Sequence, residues 1–209
     1  MTSRSPSPEF SPLTIGVDLA PLPTYKAAIT STVDFSGLLE PPLKLHEDLS
    51  KGCGGQLWPA GMVLAQHMLR YHRETLRDAR ILELGAGGGL VGLAVALACD
   101  LQRPLLLSDM EVMGEPLPDL VVKEKPDVIL AADCVYFEPA FPLLLQTLEE
   151  LLELSKDAVI YFCFKKRRRA DMQFMKNAKK KFLVEEIEDR DRETFTREGL
   201  FLYTFKRKS

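Results

Sequence analysis

The chain has 209 residues, 46% of them hydrophobic, and a net charge of −3. That apolar content is enough for one sizeable core, and the charge does not mark a general nucleic-acid binder. No run of about 18 apolar residues marks a membrane span, and the opening MTSRSPSPEFSP lacks the apolar stretch of a signal peptide, so a soluble, intracellular protein is expected.

Residues 1–22 are rich in Ser and Pro and read as a disordered tail, with one domain over 23–209. A β-prone stretch (25–35) and a second one (43–49), separated by Gly37 and Pro41-Pro42, predict a hairpin. The glycine-rich KGCGGQ follows, then Trp58-Pro59. Apolar residues at 60, 63, 64, 68 and 71 have helical spacing, with Pro59 placed to open the helix. ARILEL (79–84) predicts a strand, Gly85–Gly89 a turn, and LVGLAVALAC (90–99) a buried helix. RPLLLSD (103–109) predicts a second strand. PDVILAADCVY (126–136) predicts a third, apolar throughout as a strand covered on both faces would be. A helix (141–154), a strand (157–164), a helix with a basic face (170–182) and two strands (183–191 and 200–208) complete the pattern. The alternation implies an α/β sheet with helices on both faces.

Cys53, Cys99, Cys134 and Cys163 form no C-x-x-C pair, and the last three lie in apolar runs, as reduced core thiols do. With three histidines and no H-x-x-x-H, no metal site is expected.

The chemistry concentrates at the turn. Gly85-Ala86-Gly87-Gly88-Gly89 lets a ligand approach bare backbone, and the following helix N-terminus offers unpaired N–H groups. Asp109 ends the next strand, where a carboxylate would accept hydrogen bonds from both hydroxyls of a ribose. Strand, glycine turn, helix, strand and acid describe a site for an adenosine-bearing cofactor. Two registers compete. Gly87-x-Gly89-x-x-Gly92 fits a dinucleotide fingerprint, which alone is weak. Glu83-x-Gly85-x-Gly87-x-Gly89 instead places an acid inside the strand. A buried carboxylate must be hydrogen-bonded or paired, either with neighbouring backbone or with a cationic ligand such as S-adenosyl-L-methionine.

ILELGAGGGLVGL resembles the cofactor motif of class I, seven-strand methyltransferases. QLWPAGMVLAQHML and AADCVYF resemble the flanking signatures of their family 16, the protein-lysine methyltransferases. FCFKKRRRADMQFMKNAKKKF is similar to the fungal branch that modifies translation elongation factor 1-alpha. The resemblance spans about residues 25–209. It implies a Rossmann-like sheet and a cytoplasmic enzyme that transfers a methyl group from S-adenosyl-L-methionine to a protein lysine, with neither membrane nor nucleic acid as partner. It further implies that Trp58, Glu83, Gly85, Gly87, Asp109 and Ala132 surround the cofactor. Asp133 and Tyr136, in Asp133-Cys134-Val135-Tyr136, would form the mouth of the lysine channel. The Asn-Pro-Pro-Tyr type of motif expected for methylation of planar amides or adenine is absent.

One departure stands out. Only 17 residues lie between Asp109 and Asp127, where the family places a helix, a third strand and a loop. A parallel crossover alone takes at least about 10–12 residues. The third, edge strand is therefore expected to be missing, with roughly 20–25 residues absent. Two alternatives stay open: a methyltransferase acting on RNA or a small molecule, motivated by the basic run Lys165–Arg169, and a short isoform with impaired cofactor binding that acts as an interaction protein.

Overall fold

The computed structural model describes residues 29–47, 56–108 and 114–208. The predicted 1–22 tail, the KGCGGQ loop through Gly55 with Cys53, and the segment 109–113 with Asp109 lie outside the described residues.

Strands β1 (Ile29–Val33) and β2 (Leu43–Glu47) pair antiparallel as the predicted hairpin. Helix α1 (Pro59–Tyr71) starts at Pro59 and is followed by a short α2 (Arg73–Leu76). Then come β3 (Ile81–Leu84), α3 (Leu90–Ala98), β4 (Leu105–Ser108), α4 (Asp119–Glu124) and β5 (Val128–Ala132). The chain finishes with α5 (Phe141–Leu154), β6 (Val159–Lys165), α6 (Arg169–Lys181), β7 (Phe182–Glu186), α7 (Arg192–Arg197) and β8 (Leu200–Arg207). Beside the hairpin stands a six-stranded sheet of order β4-β3-β5-β6-β8-β7. Its first four strands are parallel, and β8 runs antiparallel to both β6 and β7.

The period-2 alternation of the strands sorts their side chains into two layers. Leu82, Leu84, Ile129, Ala131, Ile160, Phe162, Phe164 and Phe205 face one core, shared with α5 and α6. Ile81, Leu130, Cys163, Leu200 and Leu202 face the other, shared with α1, α3 and the hairpin. Cys99, Cys134 and Cys163 are buried free thiols.

The structure corrects several boundaries. The strand expected over 126–136 stops at Ala132, because Asp133 takes φ +56° and turns the chain out of the sheet. The strand expected over 183–191 ends at Glu186. Helices α4 and α7 have no counterpart in the sequence pattern. Strand β4 is the sheet edge, and no third strand lies beside it among the described residues. Leu107 on that edge is 49% exposed, and Leu93 and Leu97 of α3 are exposed as well.

Candidate active site

Parallel register brings the predicted residues to one end of the sheet. Leu84 pairs with Ser108 on one side and Ala131 on the other, so Gly85 and Ala132 both emerge at the carboxyl ends, where open α/β sheets bind ligands. The turn is tied to its neighbour: the N–H groups of Gly85 and Ala86 donate to the Ser108 carbonyl at 2.7 and 3.0 Å. Asp109 is the next residue in the sequence. Gly85, Gly87 and Gly89 all have positive φ (68°, 51° and 75°), a conformation a side chain would strain. Gly87 and Gly88 are exposed, so the turn offers bare backbone.

Glu83 lies on the α3 side of β3 and is 3% exposed. Its carboxylate accepts the N–H of Gly92 at 2.8 Å and of Val91 at 3.3 Å, in the first turn of α3. Burial pushes its pKa up to about 7, and the two N–H bonds only partly oppose this. Backbone donors thus supply a reason for the buried acid, in addition to any cationic ligand.

Asp133 is 6% exposed and already has a cationic partner. Arg167, from the β6–α6 loop, grips both carboxylate oxygens, with Nη1–Oδ1 at 2.8 Å and Nη2–Oδ2 at 2.6 Å. The Lys165 N–H adds a bond at 3.2 Å, and the Asp133 N–H donates to the Cys163 carbonyl at 2.8 Å. The same guanidinium lies 5.4 Å from the centre of the Trp58 ring, at the N-cap of α1. Tyr136 is 52% exposed, and Arg168 donates to its carbonyl. Asp171, fully buried, accepts the Arg167 and Arg168 N–H groups at 2.7 and 2.8 Å and anchors the loop.

Arg167 was not singled out in the sequence. The run Lys165–Arg169 motivates the RNA alternative in the sequence, yet Arg167 bonds the buried Asp133 carboxylate and Arg168 the Tyr136 carbonyl. A cavity of about 410 Å³ opens elsewhere, between α1 and α7. It is lined by Leu57 and Pro59 but by none of Glu83, Asp133 or Tyr136, so cavity size alone does not mark the chemistry.

The family profile described as lysine methyltransferase matches residues 38–117 and 112–181, most of the chain. The chain belongs to the lysine methyltransferase family. It is 35% identical to the Saccharomyces cerevisiae protein-lysine N-methyltransferase EFM6, over 84% of this chain and 90% of that one. The Danio rerio protein N-lysine methyltransferase METTL21A is 31% identical, covering 79% and 85% of the two chains. The Mus musculus EEF1A lysine methyltransferase 3 is 30% identical, covering 56% and 57%. The family match comes in two pieces that meet at 112–117. The yeast alignment runs over 222 positions, whereas 84% of this 209-residue chain is about 176 residues, so about 46 positions face a gap here. The Danio rerio alignment runs over 192 positions against about 165 residues of this chain, so about 27 positions face a gap there.

The chain is a protein-lysine N-methyltransferase with S-adenosyl-L-methionine as methyl donor. The exposed glycine backbone at the carboxyl ends of the strands fits that donor. Donor chemistry needs little else from the protein: the sulfonium supplies an already activated methyl group.

Proposed function

We propose that this chain methylates a lysine of translation elongation factor 1-alpha in the cytoplasm. In this reading Asp133 and Tyr136 form the mouth of the lysine channel. Trp58, Glu83, Gly85, Gly87, Asp109 and Ala132 hold the methyl donor. The observation that carries the reading is the shared sheet end: the glycine turn after β3 and the Asp133–Tyr136 segment after β5 leave adjacent parallel strands. That spacing supports a cofactor cradle lying beside an exposed aromatic mouth, and alignment of donor and acceptor is the main demand of an in-line methyl transfer. The name of the mouse relative supports the choice of target. No described helix is long and apolar enough to cross a membrane, which is compatible with the proposed compartment.

The test has two parts. Purified elongation factor 1-alpha is incubated with the chain and labelled S-adenosyl-L-methionine, and the label should appear on a lysine in peptide mass spectra. Absence of label on that protein, with label on another one in a cell extract, would transfer the reading to the other target. Calorimetry of Asp109→Ala and Asp133→Ala then separates the roles. The first should weaken donor binding by about 1.5–3 kcal/mol, the worth of hydrogen bonds to a charged acceptor. The second should leave donor binding in place and slow turnover. Equal donor affinities for both variants would remove Asp109 from the ribose.

A further inference from the structure

We propose that Arg167 is a positioning residue that cancels the charge of Asp133, so that an acceptor lysine at the channel mouth is held as the neutral amine. This rests on the reading of Asp133 and Tyr136 as that mouth. A nucleophilic amine must first lose a proton, and a free lysine has a pKa near 10.4. An unpaired carboxylate about 4–6 Å from the amine would raise that pKa by about 1–3 units and hold the inactive ammonium. The structure removes that obstacle. Both Asp133 oxygens are taken by the Arg167 fork at 2.6 and 2.8 Å, with the Lys165 N–H as a further donor. The guanidinium also lies over Trp58 at 5.4 Å, where an incoming cation would otherwise stack. Its pKa is raised chiefly by the hydrogen bond to Asp133, so the guanidinium stays charged. The proton of the acceptor leaves to bulk water before transfer.

The other groups around Asp133 do not replace this role. Cys163 of β6 and Cys134 after β5 have thiols pushed well up by burial and stay neutral. Asp171 of α6 is occupied by loop N–H groups. Arg168 bonds the Tyr136 carbonyl. Glu83 of β3 has a pKa near 7 and would contribute the same inflection to every variant, so only differences between variants are read.

The experiment follows kcat against pH at saturating donor, with elongation factor 1-alpha as acceptor, because kcat reports ionisations in the bound complex. In Arg167→Met the acid limb should move up by at least about one pH unit, a tenfold or greater loss of kcat below it. Arg167→Lys, which keeps the charge, should hold the limb in place. Asp133→Asn should slow turnover and move the limb down, and the double variant D133N/R167M should return the limb towards its original pH. A substrate-independent arm titrates n-butylammonium, a lysine side-chain mimic, into the chain with S-adenosylhomocysteine. Arg167→Met should bind it about tenfold more tightly, and the double variant should lose that gain. An unmoved limb and unchanged n-butylammonium binding in Arg167→Met, with Asp133→Asn still slow, would overturn the role of Arg167 alone. Full turnover in Asp133→Asn would overturn the channel reading beneath it. Should Arg167→Met fail to fold, the direction of the Asp133→Asn limb decides, and an unmoved limb there also overturns the proposal.

Discussion

Glu83 and Asp133 each bury a carboxylate inside the fold. Both are acids in apolar runs, and burial demands a partner for each. For Glu83 the partner is local, because the turn after β3 delivers the first N–H groups of α3 back to its carboxylate. For Asp133 the partner is one of five consecutive cations, and nothing in that run says which one turns inward. The usable signal was the strand order: β6 adjoins β5, with Ala132 opposite Cys163, so the cations just beyond Cys163 are the ones within reach. Glu83 has a further consequence. Its folded pKa of about 7 lies above its ordinary value of 4.5, so the folded chain binds the proton more tightly than the unfolded chain. Its contribution to stability is therefore complete below pH 4.5 and lost as pH rises to about 7. The loss is on the order of 3 kcal/mol. His67, pushed down chiefly by burial, works in the opposite direction, losing stability as pH falls. The comparison must therefore be with Glu83→Gln, which abolishes only the first effect. Urea unfolding at pH 5 and pH 7.5 should show the native chain losing stability relative to the variant at the higher pH. Parallel pH dependences would mean that Glu83 does not titrate in this range. Gly92 is the companion residue. A Cβ there would lie 2.6 Å from Glu83 Oε2 and 2.9 Å from the Cδ2 atoms of Leu105 and Leu107. Alanine gains about 1 kcal/mol over glycine inside a helix, but overpacking costs about 1–3 kcal/mol, and Oε2 cannot retreat without losing the Gly92 N–H. Gly92→Ala should therefore destabilise the chain, seen as a lower urea midpoint, and a higher midpoint would show that the junction has room.

At the scale of elements, legibility followed length and period. Helix α5 runs over the predicted 141–154 because Phe141, Leu144, Leu145, Leu148, Leu151 and Leu152 repeat on one buried face. Helices α4 and α7 have six residues each, too few to nucleate alone, so packing decides them and no periodicity could show them. The apolar run after Asp127 outlasts its strand because burial continues past the point where pairing stops. Cys134 and Val135 are buried, yet β5 ends at Ala132. Apolar runs report burial, whereas strand ends depend on backbone pairing and on the positive φ of Asp133. Strand β4 carries a testable liability. Among the described residues it is an edge, with Leu107 49% exposed, and an apolar edge invites pairing with other chains. Leu107→Lys puts a charge where the side chain already meets water, so its effect on stability should stay within about 0.5 kcal/mol. Light scattering at rising concentration should show less self-association in the variant. Equal scattering would mean that association, if any, uses another surface.

For the molecule as a whole, the sheet and its two covering layers were legible because each strand–helix alternation left a periodic trace, and the lack of a third strand among the described residues was legible from the 17-residue spacing set against the family's helix, strand and loop. Crossover length gives roughly 20–25 residues for the gap, and the alignments leave about 27 positions (Danio rerio) and about 46 (yeast) without a counterpart in this chain, summed over their whole length. The structure shows what the shortening does. The chain goes from β4 through the segment 109–113 to Gly114, whose N–H meets the Thr147 hydroxyl of α5 at 3.4 Å, and then to the short α4. Among the described residues strand β4 pairs with β3 alone. In the proposed site Asp109 follows directly on that strand, so the ribose carboxylate would depend on an element held from one side only. Inserting the family's helix–strand segment between Met113 and Gly114 should cover Leu107, pair the free edge of β4 and steady Asp109 together. Each buried backbone group left unpaired costs about 1–3 kcal/mol, against a total stability of about 5–15 kcal/mol, so a full edge strand is a large increment. The restored chain should melt several degrees higher, and its melting point should rise further with S-adenosyl-L-methionine than that of the short chain, because a ligand stabilises in proportion to its affinity for the folded state. Calorimetric scans of both chains, with and without the donor, separate the two effects. A higher melting point with no added response to the donor would confine the insert to stability. Identical behaviour of the two chains would show that the compact junction supports both sheet and site as it stands.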